Sequence, residues 1–462
     1  MLTKAVVSVL IFLLTVARHG SSSRSYNAIY NFGDSISDTG NLCTGGCPSW
    51  LTNGQPPYGD TYFGRPTGRC SDGRVFVDFL AEFFGLPLLP PSKANGTDFK
   101  KGANMAIIGA TSMNLDFFQS RGLGSRIWNN GALDTQIQWF RQLLPSICGS
   151  AADCKSYLNG SLFILGEFGG NDYNAPIFGG KGVDEAISYV PQIIDKITGG
   201  VETLIGLGAV EVVVPGVLPI GCFPMYLTLY GSSNQSDYDG DGCLKRFNDL
   251  SIYHNQLLRQ GICDLQSKHT GVRLMYGDFY SQVTEMVRSP QDPTSTVDPS
   301  LWAQWFQASH EDHRQSIKAH MEGLNNDDYE QYEEPSEPGQ VPSMKEEKPE
   351  QPSKDWAGYV FPLQNAGGPI GCTTTSLMMV TMIHIARCFS GLKYGLKVCC
   401  GASGEGSYNY NNQARCGMSG SSACEDPENY LNWDGIHLTE AAYRSIAYGW
   451  LTGPYCTPAI LH

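Results

Sequence analysis

Along most of the chain, short apolar runs alternate with longer stretches whose apolar residues recur at helical spacing. Ala28–Asn31, Met105–Ile108, Leu162–Leu165, Val210–Val214 and Val272–Tyr276 are brief and mostly rich in Val, Ile and Leu. Runs of that length and composition predict strands buried on both faces. Phe76–Phe84, Leu133–Leu144, Val183–Leu207, Leu244–Leu265 and Thr439–Leu451 carry the helical period between and after them. Strand and helix in alternation predict an α/β sandwich on a mainly parallel sheet, whose ligand site lies at the carboxyl ends of the strands. No internal repeat interrupts the pattern.

One region does interrupt it. From Asn325 to Lys354 nine acids stand against three lysines, with five prolines among them. Such a composition buries too little apolar surface to offset its ordering entropy, so a disordered loop or linker is expected there. Over 292–394 the charge is −8 of a total of −14, so the acidity is mostly local. At 462 residues the chain exceeds one ordinary core, which suits one large domain (24–291 and 395–462) interrupted by a partly disordered acidic insertion (292–394).

The amino terminus changes the context. Lys4 precedes the apolar stretch Ala5–Leu14, which is too short to span a bilayer, and small and polar residues follow at Gly20–Ser23. That order predicts a secretory signal over 1–23 with no transmembrane anchor, since no apolar run of about 20 residues occurs anywhere. In an exported chain the fifteen cysteines read as disulfides with at least one thiol left over, their connectivity open. Asn95-Gly-Thr, Asn159-Gly-Ser and Asn234-Gln-Ser become glycan acceptors. The net negative charge argues against nucleic acid as a partner.

The chemistry is expected where strands end. The first strand runs into Phe32-Gly33-Asp34-Ser35, which puts a serine on a tight turn. Alone, that serine is most simply a helix cap or turn residue; a nucleophile also needs a base and oxyanion donors. Gly109, at the end of the second strand, allows a backbone N–H to approach a substrate closely. Asn171, after the glycines of Gly166-Glu167-Phe168-Gly169-Gly170, offers a neutral two-proton amide. Near the carboxyl terminus, Asp434 stands three residues before His437. That spacing suits one turn in which the carboxylate holds one imidazole nitrogen while the other faces the serine.

These blocks, Phe32–Asn41, Asn104–Thr111, Gly169–Asp172 and Trp433–Ala442, resemble the secreted plant branch of the GDSL esterase/lipases in the SGNH hydrolase superfamily. Further likeness lies at Pro66–Arg74 and Val214–Cys222, and it covers about Tyr26–Gln291 and Gly395–Tyr455. The resemblance implies a flavodoxin-like three-layer α/β/α sandwich. It implies Ser35 as nucleophile, His437 as base and Asp434 as its orienter, with the Ser35 amide, Gly109 and Asn171 as oxyanion donors. No cofactor is implied.

The expected activity is that of an exported serine ester hydrolase, acting in the apoplast, cell wall or vacuole. Its substrates would be acylglycerols, acetylated wall polysaccharides or acyl esters of plant secondary metabolites. The same serine could serve an acyltransferase, and a non-catalytic binding protein of the same fold is the reading from a different class. No Gly-x-Ser-x-Gly elbow occurs. Asp237–Asn248 opens like a calcium loop but ends in Asn248 where a bidentate Glu is required. His310, His313, His320 and His384 in the insertion form no complete zinc set. The insertion has no counterpart in the resemblance and reads either as a lid or as translated non-coding sequence.

Overall fold

The computed structural model describes residues 24–128, 131–288, 392–402, 404 and 406–462. The expected leader at 1–23 and most of the stretch assigned to the insertion, with its four histidines, lie outside the described residues.

Five parallel strands form the centre: β1 (Ile29–Phe32), β2 (Gly102–Asn104), β3 (Leu162–Leu165), β4 (Glu211–Pro215) and β5 (Arg273–Gly277). Their spatial order is β2-β1-β3-β4-β5, and β10 (Cys456–Thr457) closes the far edge antiparallel to β5. This is the doubly wound flavodoxin-like order, and the chain switches direction across the sheet between β1 and β3. The switch point opens a crevice beyond the carboxyl ends of those two strands, where Gly33–Ser35 and Gly166–Asn171 emerge.

Both faces of the sheet are covered. On one, Tyr30 and Phe32 of β1 meet Phe140 of the helix Leu133–Ile147, and Phe163 of β3 completes the cluster. On the other, Phe76, Phe279 and Trp450 pack ring to ring from the helices Phe76–Phe83, Phe279–Arg288 and Glu440–Thr452. Trp450 and Phe140 are fully buried. Each of these rings removes roughly 150–250 Å² from water, so the sandwich is held by large aromatic contacts rather than by its short strands.

The second strand sits differently from the expectation. Regular pairing ends at Asn104, and Met105–Ile108, the apolar run that predicts a strand, is irregular backbone. Met105 N–H still donates to Asn31 O and Ile107 N–H to Gly33 O. Side chains take over the rest: Asp38 accepts from Ile108 N–H at 3.0 Å and Asn104 from Ala106 N–H at 2.9 Å. The run is apolar because it is buried, and its backbone is satisfied without a ladder.

The described body resumes at Leu392, three residues before Gly395, where the sequence resemblance resumes. Leu392 is buried, Lys393 N–H donates to Asn429 O, and Tyr394 opens β6 (Tyr394–Val398). β6 pairs with β9 (Tyr430–Asn432), while β7 (Cys400–Gly401) pairs with β8 (Ser422–Ala423). Among the described residues, five disulfides join Cys43–Cys47, Cys148–Cys154, Cys222–Cys243, Cys399–Cys424 and Cys400–Cys416. Asn95, Asn159 and Asn234 are exposed. Among the described residues no helix is long and apolar enough to cross a membrane.

Candidate active site

Ser35 stands in the turn that follows β1. Gly33 is there because nothing larger fits: a Cβ on it would come within 2.8 Å of Gly166 O and 2.9 Å of Ser37 Oγ. Asp34 folds the turn, accepting from Ile36 N–H at its carboxylate and from Ser37 and Asp38 N–H at its carbonyl.

Residues 402 apart in sequence then meet. His437 Nε2 lies 2.8 Å from Ser35 Oγ, and His437 Nδ1 lies 2.7 Å from Asp434 Oδ2. The second Asp434 oxygen accepts from His437 N–H at 2.9 Å and Ile436 N–H at 3.2 Å, so the Asp-x-x-His spacing closes into one turn. Burial pushes the Asp434 carboxyl up, but the imidazole charge and these hydrogen bonds bring it down to about 2. Asp434 is therefore an acceptor only, which puts the ring proton on Nδ1 and leaves Nε2 to accept from Ser35. Burial pushes the His437 imidazolium down, and the adjacent carboxylate more than reverses this, so the net displacement is well upward.

Ser35, Gly109, Asn171 and His437 line one cleft of ≈ 440 Å³. Gly109 adopts φ +78°, and a Cβ on it would strike the Trp128 ring at 2.1 Å. Asn171 lies in the first turn of the helix Gly170–Phe178 rather than in a loop. Its Nδ2 donates to Asp34 Oδ2 at 2.7 Å and to Ala110 O at 3.0 Å. The next residue, Asp172, ties this helix to the segment after Gly109 by accepting from Ser112 N–H, Ser112 Oγ and Met113 N–H at 2.8–3.0 Å. Of the reacting residues expected from the sequence, Ser35, Gly109, Asn171 and His437 line this cleft, and Asp434 stands behind His437.

Several partners escaped the sequence reading. Tyr58 donates to Asp434 Oδ2 at 2.8 Å from a buried position edge-on to Trp433. Burial and the Asp434 charge push its phenol far up, so it stays a donor. The Cys70 thiol, also raised by burial, is a hydrogen-bond neighbour of the His437 ring. The Pro66–Arg74 block, quoted above only as a likeness, is a clamp. Arg69 grips Asp78 through two bonds of 2.8 Å, and Arg74 binds both Glu82 and Glu440 at 2.7 Å. Asp72 Oδ1 accepts from Glu440 N–H at 2.7 Å, so this block seats the helix that begins just after His437. Arg-x-x-x-x-Arg around an Asp was the available signal, because buried arginines demand buried acids.

The disulfides serve the same loop. Cys399 N–H donates to Asn432 O and Cys400 N–H to Trp433 O, and their partners Cys424 and Cys416 lie in the long loop between β7 and β9. The strand that follows the insertion therefore carries the segment leading into Asp434. The calcium-like stretch is spent on turn formation: Asp239 Oδ1 accepts from Asp241 and Cys243 N–H, and Asn248 accepts from Gly221 N–H. Among the described residues no cluster of His, Cys, Asp and Glu could hold a metal.

Residues 29–315 match the GDSL-like Lipase/Acylhydrolase family, a span that contains Ser35, Gly109 and Asn171 and ends before Asp434 and His437. A GDSL esterase/lipase of Arabidopsis thaliana is 35% identical over 94% of this chain and 92% of its own length. The sinapine esterase of Brassica napus is 33% identical over 99% of this chain and 94% of its own. A solved mutant acetyl-xylooligosaccharide esterase from Geobacillus Stearmophilus is 12% identical, with 62% of this chain and 94% of that one covered, and its TM-score of 0.28 is too low to argue from.

Proposed function

The chain belongs to the GDSL-like lipase/acylhydrolase family as a carboxylic ester hydrolase, and from that premise we propose that it works through a Ser35–His437–Asp434 acyl-enzyme mechanism. The observation that carries the reading is the unbroken line from Ser35 Oγ to Asp434, with bonds of 2.8 and 2.7 Å, opening into the cleft.

In this mechanism Ser35 Oγ attacks the ester carbonyl carbon while His437 Nε2 takes its proton. The negative charge that develops on the carbonyl oxygen is met by the Ser35 and Gly109 N–H groups and by Asn171. Asn171 turns an N–H to the oxyanion by giving up the longer of its two bonds, the one to Ala110 O, while the bond to Asp34 keeps the amide aimed. His437 then protonates the departing alkoxide. Water enters, is deprotonated by the same nitrogen, and frees the acid and the serine.

The cleft supports a compact ester. Its volume is that of a small-ligand pocket, and Ile108, Ile127, Trp128, Phe178 and Met225 give it an apolar, partly aromatic wall with Arg126 at its edge. A sinapine esterase among the relatives points the same way, toward esters of specialised plant metabolites rather than an acylglycerol interface. The leader at 1–23 and the exposed glycan acceptors Asn95, Asn159 and Asn234 support action outside the cytosol, in the apoplast, the cell wall or the vacuole.

The test pairs Ser35→Ala with a fluorophosphonate probe and a panel of esters varied separately in acyl group and alcohol. The wild type should be labelled once and lose activity, and the variant should fold, resist labelling and turn over nothing. A folded Ser35→Ala protein with near-normal turnover removes the nucleophile assignment.

A further inference from the structure

At the nucleophile turn lie two carboxyl groups that touch no reacting atom: Asp34, which aims the Asn171 amide, and Glu167, which has no role in the reaction above. Asp34 and Glu167 are 4% and 3% exposed, and both face a chamber of ≈ 40 Å³ that Ser35, Asn171 and His437 also line. Their side chains are within hydrogen-bonding reach of each other. Two neighbouring ionised carboxylates out of water would repel each other on top of their desolvation cost, so such a pair holds a proton between them.

The placement of donors decides which group keeps it. Asp34 Oδ1 accepts from Ile36 N–H at 2.9 Å and Oδ2 from the Asn171 amide at 2.7 Å, so both of its oxygens face donors from other parts of the site. Glu167 accepts from Gly170 N–H at 2.9 Å through Oε1. The better-solvated carboxylate is Asp34. Burial and the Asp34 charge drive the Glu167 carboxyl far up, and the remaining charges around it agree: Asp172, on the adjoining helix, raises it further. Burial raises Asp34 less far, because Ile36 N–H, His437 and Glu167 all favour its ionised form while only Asp38 opposes it among the nearby charges. Tyr173 and Tyr226, which also feel Glu167, are buried neutral phenols.

We propose that Glu167 is a positioning residue: as the neutral acid it donates a hydrogen bond to the Asp34 carboxylate, and Asp34 in turn holds the Asn171 amide and the turn that carries Ser35. The inference rests on the reading of Asn171 as an oxyanion donor. Its physical content is that the proton of this buried pair, held on Glu167, leaves Asp34 ionised and so an acceptor for both Ile36 N–H and the Asn171 amide. A second ionised acid there would do the opposite.

The test compares Glu167→Gln with Glu167→Leu in the full chain. Glutamine keeps an oxygen for Gly170 N–H and an N–H₂ for Asp34 at every pH, whereas leucine offers neither. Glu167→Gln should keep kcat within a few-fold. Glu167→Leu should lose roughly 10–100-fold in kcat, part of what an oxyanion donor is worth, with KM little changed. Affinity for a boronic acid transition-state analogue should fall in parallel with kcat. The infrared difference spectrum of wild type minus Glu167→Gln at neutral pH should contain the carbonyl stretch of a neutral carboxylic acid. That arm stands even where the leucine variant does not fold. Wild-type kcat in Glu167→Leu, equal damage in both variants, or absence of the neutral-acid band overturns the proposal. An unchanged kcat in Asn171→Ala would instead sink the oxyanion reading and leave the infrared arm to decide on the proton alone.

Discussion

Replacing Tyr58 with Phe removes one oxygen from behind the site and nothing from its lining. The ring stays edge-on to Trp433 at 5.9 Å between centroids, so packing is preserved. What disappears is one of four donors to the Asp434 carboxylate, the others being His437 Nδ1, His437 N–H and Ile436 N–H. A hydrogen bond to a charged group contributes roughly 1.5–3 kcal/mol. With three donors retained, the low end applies to folding, about 1.5 kcal/mol. If the same loss fell wholly on the transition state it would be roughly tenfold in rate, since about 1.4 kcal/mol is a decade. Tyr58 does not line the cleft, so the loss, which comes from a less firmly fixed Asp434 orienting His437, should fall on kcat while KM holds. The sign of the pH effect follows as well. A carboxylate one donor short is a stronger partner for the imidazolium, so the acid limb of kcat/KM should move to higher pH. The assay is a pH series of kcat and KM beside a denaturant unfolding curve for each protein. Unchanged kcat with an unmoved acid limb, or a loss confined to KM, would refute the argument that Tyr58 acts through Asp434.

Three further outcomes are expected. Asn171→Ala should lower kcat by about 10²–10³, and a raised KM at constant kcat would assign Asn171 to ground-state binding. In the wild type the free imidazole is the active form and Asp434 holds His437 well above its ordinary value, so kcat/KM should rise with pH through a midpoint above about 6.5; a profile flat from pH 5 to about 9 counts against a histidine base. The insertion should be dispensable once the cut respects the body: Leu392–Tyr394 must stay, and because Gly395 packs against the Val287 backbone the ends need only a short loop. Removing 292–391 should therefore leave secretion and turnover intact, whereas a misfolded or inactive product would make the insertion a structural part of the enzyme.

Much of this molecule is written locally. The helices at 133–147, 182–207 and 245–268 follow their apolar period, and Asp434 reaches His437 because three residues is one turn. The nucleophile turn is legible because Gly33 tolerates a crowding that no side chain could. Each of these depends on contacts within a few residues, which composition and spacing record. The helices at 151–159 and 279–288, each between two and three turns, went unread because so short a window repeats the apolar period only two or three times. Met105–Ile108 misleads for a related reason: hydrophobicity reports burial, and Asp38 and Asn104 decide the hydrogen bonding.

What only the tertiary structure decides are the encounters between distant segments. Tyr58 meets Asp434 across 376 residues, Arg74 meets Glu440 across 366, and Asn171 meets Asp34 across 137. No periodicity encodes such pairs, because a side chain's partner at that separation is set by strand order and by which face of the sheet a helix covers. The five disulfide pairings belong here too, since many pairings suit fifteen cysteines equally well until the backbone brings particular ones together. The same holds for the protonation of the site. A carboxyl at position 34, 167 or 434 has one chemistry in the chain, and burial with its neighbours makes one a poised acceptor, one a neutral acid and one a firm carboxylate.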